Sequence, residues 1–290
     1  MGKVNVSKHG CLRRRFPILL VSVGLLFCGI AAYSLAMYFQ ERWYLRERAE
    51  SIVRGYESNR ELVLASLTDW VYNNEGFRKN PNFFLVPEFG PTATQVIEYG
   101  GDCADKSRLL SAMLYELGID STLVMLYSKL DGRPTHTIVE TREEDFKAVA
   151  DPVFNIVFPD ANGHLLGLIA LRDNPDILEN RLNDLGSERG RMDKINYYKR
   201  LTESYDYPKT MNWDRNLLAQ WTKRLLEAWV DDPYLLERPR ILDTPYLLAF
   251  TLAAGLALTF FALWIFMLRL TRKQRRAGEG VGSQDVITHA

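Results

Sequence analysis

The residues Gly101-Asp102-Cys103-Ala104-Asp105 place a cysteine at the start of a predicted helix. Asp102 is a typical N-cap residue, and Gly118 is a typical C-terminal stop. An apolar face lies between them at helical spacing, at Leu109, Met113 and Leu117. Backbone amides at a helix N-terminus favour an anion, so the thiol of Cys103 should ionise more readily than an ordinary thiol.

A histidine and an aspartate follow the helix on strand-like segments. These segments are residues 122–127, 136–141 and 146–151, and the polar run 142–145 joins the last two. If the hairpin is centred between Glu143 and Glu144, His136 faces Asp151 across the two strands, within hydrogen-bonding reach. An odd-length loop or a bulge would shift the register by one residue and separate the pair.

Cysteine, histidine and aspartate together are the groups that nucleophilic acyl transfer needs. Cys103 would attack a carbonyl carbon and form a thioester, and its backbone N–H would contribute to an oxyanion hole. His136 would take up the thiol proton and return it to the leaving group. Asp151 would accept a hydrogen bond from the other imidazole N–H and so hold the ring in the tautomer that can take up the thiol proton. Each residue alone is also compatible with a purely structural role, as a buried cysteine, an ordinary strand histidine or a turn aspartate.

The balance of charges and the cysteine count limit the functions that the chain can have. The chain has 290 residues with 36 basic and 36 acidic side chains, so it lacks the excess of positive charge on which nucleic-acid binding depends. Of its three cysteines, Cys11, Cys28 and Cys103, the last alone lies between the two long apolar runs. An unpaired cysteine there indicates a working thiol or an intermolecular link. No metal-ligand spacing is present, and the thiol chemistry requires no cofactor.

Two apolar runs, residues 16–39 and 245–268, carry no charge and are each long enough to span a bilayer. Basic clusters flank them on the outer sides, Arg13-Arg14-Arg15 before the first and five basic residues after the second. The positive-inside tendency therefore predicts cytoplasmic termini and an extracytoplasmic segment 40–244. A cleaved signal peptide is the alternative for the first run, although the run is longer than an h-region. A buried core helix is the alternative for the second.

These features predict a division of the chain along its length. The predicted parts are a cytoplasmic N-terminus (1–15), a transmembrane helix (16–39), an extracytoplasmic helical stalk (40–84), a core (85–160), a helical extension (161–244), a transmembrane helix (245–268) and a cytoplasmic tail (269–290). Residues 74–100 are rich in Pro, Asn and Gly and are expected to form loops. Trp221, Leu225 and Trp229 recur at helical spacing. They either pack on the domain or form a substrate platform or membrane-surface anchor.

The order and spacing of the cysteine, histidine and aspartate motifs resemble the transglutaminase-like superfamily. The match rests on Gly101-Asp102-Cys103, Leu117-Gly118-Ile119, Thr135-His136 and Val149-Ala150-Asp151-Pro152. The resemblance implies an α+β, papain-like core in which the catalytic helix packs on an antiparallel sheet. It also implies catalytic roles for Cys103, His136 and Asp151. The aromatic residue common two positions after the histidine is Ile138 in this sequence.

Taken together, the sequence predicts a membrane-anchored thiol enzyme acting on amide bonds of peptides or proteins outside the cytoplasmic membrane. It would be a peptidase, an amidase or a transglutaminase-like enzyme, with envelope proteins as possible partners. The alternative is a catalytically silent scaffold or binding domain of an envelope complex. A transporter is disfavoured because neither apolar run contains a charged residue. Gln95 and Tyr99 are expected to be structural, and His164 is expected to be a surface or structural histidine.

Overall fold

The computed structural model describes residues 8–127, 134–189, 206–209, 217–231 and 238–281, with the single residues 213, 233 and 236. The ends of both predicted cytoplasmic segments, 1–7 and 282–290, lie outside the described residues, as does 190–205 of the predicted extension. The chain divides into two compact units, residues 1–38 with 246–290, and residues 39–245.

Helices and one sheet make up the regular structure of the described residues. The helices are α1 (Lys8–Ile52), α2 (Arg60–Asn73), α3 (Ala93–Tyr99), α4 (Cys103–Glu116), α5 (Leu168–Asp173), α6 (Pro175–Arg189), α7 (Leu217–Leu226) and α8 (Pro245–Val281). The strands are β1 (Ser121–Tyr127), β2 (Pro134–Thr141), β3 (Val149–Asp151), β4 (Ile156–Val157) and β5 (Asp206–Lys209). The chain thus combines helices with a sheet and has an apolar helix near each end.

The first unit contains residues 8–38 of α1 and residues 246–281 of α8. Within the described residues, the segments Phe16–Ile52 and Pro245–Lys273 are each long and apolar enough to cross a membrane. The rings of Phe27 and Phe260 stack with their centroids 5.8 Å apart. These two segments are compatible with a two-span membrane protein.

In the second unit, α4 begins and ends with strong local signals. Asp102 is the N-cap, and its Oδ1 accepts hydrogen bonds from the amides of Ala104 and Asp105 at 2.9 and 3.1 Å. Gly118 follows the helix at φ +80°, a conformation that favours glycine. The amide of Ile119 then donates to the carbonyl of Leu114, which closes the helix as a Schellman motif. Both predicted ends of this helix are confirmed.

The sheet is antiparallel, in the order β4-β3-β2-β1-β5, and carries apolar side chains on both faces. Alternate residues on each strand point to opposite faces. Leu123 and Val139 join a core cluster with α2 and α4. Val124 and Ile138 join a second cluster that includes Leu171 of α5 and Leu185 of α6. Helices therefore contribute apolar side chains to both sides of the sheet, with α4 on one of them.

The β2–β3 hairpin turns one residue later than the sequence suggests. Glu143 pairs with Phe146, so the centre of the turn lies between Glu144 and Asp145. Further along the strands, Val139 is opposite Ala150. Moving the centre by one residue moves each cross-strand partner by two.

The prediction that His136 directly faces Asp151 is therefore wrong. The observed register, continued along the strands, places Asp151 opposite Ile138. A shift of two residues keeps every side chain on its predicted face, because the side-chain period of a strand is two. His136 and Asp151 become diagonal neighbours on one face, and diagonal neighbours remain within reach of long side chains.

The segment before α4 is more structured than its composition suggests. Parts of the predicted stalk, residues 40–84, pack on the domain, because Leu45 of α1 and Leu64 of α2 are buried in the same core cluster as α4. The segment 74–100, which was expected to be loop, contains α3. A capping box between Thr92 and Gln95 begins that helix, and its Thr-x-x-Gln pattern is visible in the sequence.

The apolar face of α7 is exposed. Leu217, Trp221 and Leu225 are 84%, 60% and 51% exposed, and Trp229, which follows the helix, is 87% exposed. The interpretation that this face packs on the domain is therefore wrong for these residues.

Lys106 joins the first turn of α4 to the end of α2. Its side chain is buried, and Nζ donates to the carbonyls of Val71, Asn74 and Glu75 at 2.6, 3.0 and 2.9 Å. The last carbonyls of a helix lack intrahelical partners, so a buried ammonium group satisfies them. Burial lowers the pKa of Lys106 to about 8, which leaves the ammonium form predominant at pH 7.

We expect Lys106→Met to destabilise the second unit by about 2 kcal/mol, because it leaves buried carbonyls without donors. For a chain of this size, this loss corresponds to a fall in Tm of about 5 °C. Thermal unfolding of the full chain in detergent would measure it. Lys79→Met is the matched control, since Lys79 is exposed. Equal Tm values for the two variants would contradict the assignment.

Candidate active site

His136 and Asp151 form a buried pair on one face of the sheet. His136 Nε2 lies 2.7 Å from Asp151 Oδ2. The two residues are 5% and 0% exposed. Burying charged groups is costly unless they are paired and hydrogen-bonded, and this pair meets both conditions. The structure therefore brings together two of the three predicted site residues.

Asp151 is held in place by the turn that follows it. Its second carboxylate oxygen, Oδ1, accepts hydrogen bonds from the amides of Val153 and Phe154 at 2.9 and 3.2 Å. The ring of Phe154 then meets that of His136 edge to face, with the centroids 5.5 Å apart. Both carboxylate oxygens are thus occupied, and an aromatic ring covers part of the imidazole. This arrangement fixes the orientation of His136.

Cys103, the third predicted residue, reaches the same histidine from the N-terminus of α4. Its side chain is hydrogen-bonded to His136 and also acts on it through charge. Cys103 is partly exposed, whereas its two partners are buried. A substrate could therefore reach the sulfur while the histidine and aspartate stay covered.

Ser107 holds the cysteine helix against the histidine strand. It lies one turn after Cys103, is fully buried, and donates from Oγ to the carbonyl of Thr137 at 2.9 Å. Thr137 is the residue directly after His136. One hydrogen bond therefore fixes the distance between the helix turn that carries the thiol and the strand that carries the imidazole.

The electrostatics of the site favour a charged imidazole. Burial by itself would lower the pKa of His136. The charge and hydrogen bond of Asp151, with a smaller contribution from Cys103, outweigh it and raise the pKa to about 10. The raised pKa favours the imidazolium form at neutral pH, and this form donates from Nε2 to Asp151.

The backbone amide of Cys103 is available to a ligand. The other amides of the first turn are used: those of Ala104 and Asp105 donate to the Asp102 side chain, and that of Lys106 donates to the Asp102 carbonyl. Among the described residues, none accepts from the Cys103 amide. A free N–H beside the nucleophile is the geometry expected of an oxyanion-hole donor.

The other residues considered from the sequence have structural contacts. Gln95 Oε1 accepts from the amide of Thr92 in the capping box of α3. The Tyr99 side chain is exposed and hydrogen-bonds Glu98, which raises the pKa of the phenol. His164 is on the surface, as expected, with its side chain 72% exposed. In the part of the chain that the structure describes, no group of three or more His, Cys, Asp or Glu side chains could hold a metal ion.

Two residues of the site were missed at the sequence level. Ser107 lies four residues after Cys103, so helical spacing alone would have placed it on the same side of the helix. Phe154 lies three residues after Asp151, in the turn that begins at Asp151-Pro152. Aspartate side chains commonly bond the backbone of such a turn, but nothing in the sequence shows that the phenylalanine reaches the histidine.

Comparisons with known proteins give a distant match. No protein-family model and no curated protein matches the chain. Among solved structures, the chain is similar to the crystal structure of a candidate cysteine protease from Cytophaga hutchinsonii, with 21% identity and a TM-score of 0.32. The match covers 43% of this chain and 40% of that chain.

We expect Asp151→Asn to lower the pKa of His136, because it removes the carboxylate charge that raises it. Losing one adjacent opposite charge should shift the titration down by at least about two pH units. NMR titration of histidine-labelled full chain in detergent would measure the shift. Asp160→Asn is the matched control, since Asp160 lies near the exposed His164. An unchanged His136 titration in Asp151→Asn would contradict the pairing.

Proposed function

We propose that the chain is a membrane-anchored thiol acyl-transfer enzyme that cleaves or exchanges amide bonds of peptides or proteins. The observation that carries the proposal is a buried histidine that is hydrogen-bonded to Asp151 through Nε2 and whose pKa is raised by both Asp151 and Cys103. A nucleophile, a base and a group that orients the base are the parts that thiol catalysis requires. The resemblance to the transglutaminase-like superfamily agrees with this assignment.

The reaction follows from the groups present. Cys103 Sγ, as the thiolate, attacks the carbonyl carbon of the amide, and the negative charge that develops on the carbonyl oxygen is accepted by the Cys103 amide. The His136 imidazolium then gives its proton to the amide nitrogen. The C–N bond breaks, an amine leaves, and a thioester to Cys103 remains. Neutral His136 next takes a proton from an attacking water or amine, which displaces the sulfur.

The identity of the acyl acceptor decides the outcome of the second step. Water gives hydrolysis, as in a peptidase or amidase, and a primary amine gives a new amide, as in a transglutaminase. The acyl-enzyme half of the reaction is the same in both cases. Asp151 contributes in both halves, because its charge stabilises the imidazolium each time the ring is protonated.

The two apolar segments support a membrane location. Phe16–Ile52 and Pro245–Lys273 are long enough to span a bilayer, and the basic residues outside them favour cytoplasmic termini. We therefore place residues 40–244 outside the cytoplasmic membrane. Substrates at that surface, such as envelope proteins or peptides, are the class to which a tethered site has access.

We expect Cys103 to be an activated thiol. In a full-length Cys11→Ser, Cys28→Ser background, Cys103 should react with iodoacetamide faster than an ordinary cysteine does. His136→Ala should slow alkylation at pH 6 at least about tenfold, because the imidazolium that stabilises the thiolate is lost. Mass spectrometry of the alkylated chain across a pH series would measure both effects.

His164→Ala is the matched control for this experiment. His164 is exposed and separate from the buried pair, so its loss should leave the alkylation profile unchanged. If Cys103 were alkylated at the rate of an ordinary thiol, and His136→Ala left that rate unchanged, the catalytic assignment would be contradicted and a scaffold would be favoured.

We also expect Cys103-dependent turnover of amides. The full chain, incubated with a casein-derived peptide mixture and a fluorescent primary amine, should produce new peptide termini, fluorescent conjugates or both. Cys103→Ser should abolish them. Turnover should fall above about pH 10, because His136 then lacks the proton that the leaving amine needs. Mass spectrometry of the products would distinguish hydrolysis from transamidation. If Cys103→Ser gave the same products as the parent chain, the proposal would be contradicted.

A further inference from the structure

We infer that α7 (Leu217–Leu226) lies on the surface of a phospholipid bilayer, with its exposed apolar face inserted among the lipid headgroups. This inference rests on the membrane location that forms part of the proposed function, and it is independent of the thiol chemistry. It depends on the polarity of the helix, on the area and composition of its exposed face, and on the short connection from α7 to an apolar segment.

The polarity of α7 is the reverse of that expected for a helix on a water-soluble domain. Leu217, Trp221 and Leu225 recur every four residues, so they share one face of the helix, and all three are exposed. Thr222 and Lys223, which lie off this face, are half-buried. A surface helix normally turns its apolar face to the core and its polar face to water. The exposed face of α7 is therefore suited to an apolar or amphipathic partner.

The area of this surface favours a bilayer over a second copy of the chain. Trp229 follows at the same spacing, in the turn after the helix, and each of the four apolar side chains is more than half exposed. Together they expose on the order of 500 Å², a patch size that marks interaction sites on proteins. A stable protein–protein interface buries about 800 Å² on each partner. The surface is thus small for a dimer, whereas one helix face is all that a helix in the lipid interface inserts.

The side chains of this surface are of the kinds found where a membrane meets water. Trp221 and Trp229 each combine a large apolar ring with an indole N–H, and tryptophan is enriched at the membrane–water interface. Arg224, also on α7, is exposed. An arginine can hold its charge at the level of the phosphates while its stem covers apolar surface. The apolar and cationic groups of α7 therefore match the acyl chains and the phosphates of a phospholipid.

The connection from α7 to the second apolar segment is short. Residues 230–244 separate Trp229 from Pro245, where the segment Pro245–Lys273 begins. Part of this connection is a 3₁₀ turn, Arg240–Leu242, which shortens its reach. The helix consequently stays near any bilayer that Pro245–Lys273 crosses. A lipid surface is the partner to which the chain itself ties this face.

The test places a fluorophore at single cysteines of the full chain in lipid vesicles. In a Cys11→Ser, Cys28→Ser, Cys103→Ser background, Leu225→Cys would be labelled with NBD in detergent. The protein would then enter phosphatidylcholine–phosphatidylglycerol vesicles with or without brominated acyl chains. We expect Leu225→Cys to lose at least about half of its emission in the brominated vesicles, because the apolar face of a surface helix reaches the acyl-chain boundary.

His164→Cys is the matched control, since His164 is exposed and lies away from α7 in the sequence. Its label should keep its emission in brominated vesicles. Replacing Trp221 and Trp229 together by Ser should reduce the quenching at Leu225→Cys at least about twofold, because the interfacial anchors are lost. Replacing Phe77 and Phe83, two exposed aromatic residues elsewhere, by Ser should leave it unchanged.

A label at Leu258→Cys, an exposed site in the second apolar segment, separates the outcomes. Quenching at Leu258→Cys with full emission at Leu225→Cys would overturn this inference and leave the membrane location intact. Full emission at both sites would overturn the membrane location and this inference with it. Emission at Leu225→Cys that bromine leaves unchanged but that rises with the protein-to-lipid ratio would assign the face to a second copy. Equal quenching at His164→Cys would also overturn the inference, because the label itself would then be entering the lipid.

Discussion

The first turn of α4 is the constraint on which the rest of the site depends. Asp102 caps its amides, Lys106 reaches the end of α2, and Ser107 binds the backbone of β2. These contacts fix the turn to a helix on one side and to the sheet on the other. Cys103 sits in this turn, so its position relative to His136 is set by backbone-directed hydrogen bonds.

The buried histidine–aspartate pair is the main electrostatic feature of the second unit. Burial opposes charge on both groups, and their mutual attraction with two backbone donors to Asp151 offsets that cost. The result is an imidazole that holds its proton at neutral pH. In thiol chemistry that proton stabilises the thiolate and is then ready for the leaving amine. One pair of contacts thus serves both stability and the proposed reaction.

Local signals in the sequence predicted the parts of the site that depend on local structure. Asp102 and Gly118 marked the ends of α4, and alternation placed His136 and Asp151 on one face of the sheet. The exact register was wrong by two residues because the turn centre depends on how residues 143–146 bond, which composition does not specify. The face was still right because an even shift preserves it. Which residues of 40–84 join the core is not visible in the sequence, because their burial depends on helices distant in sequence.

The sequence by itself determined the helix that presents the cysteine, the strands that follow it and the two apolar segments, because caps, periodicity and run length act over a few residues. Tertiary structure alone decided that Ser107 ties α4 to β2 and that Phe154 covers His136. Ser107 and Thr137 are 30 residues apart in the chain. Such contacts arise from the packing of a whole domain, since no short-range rule relates residues so far apart.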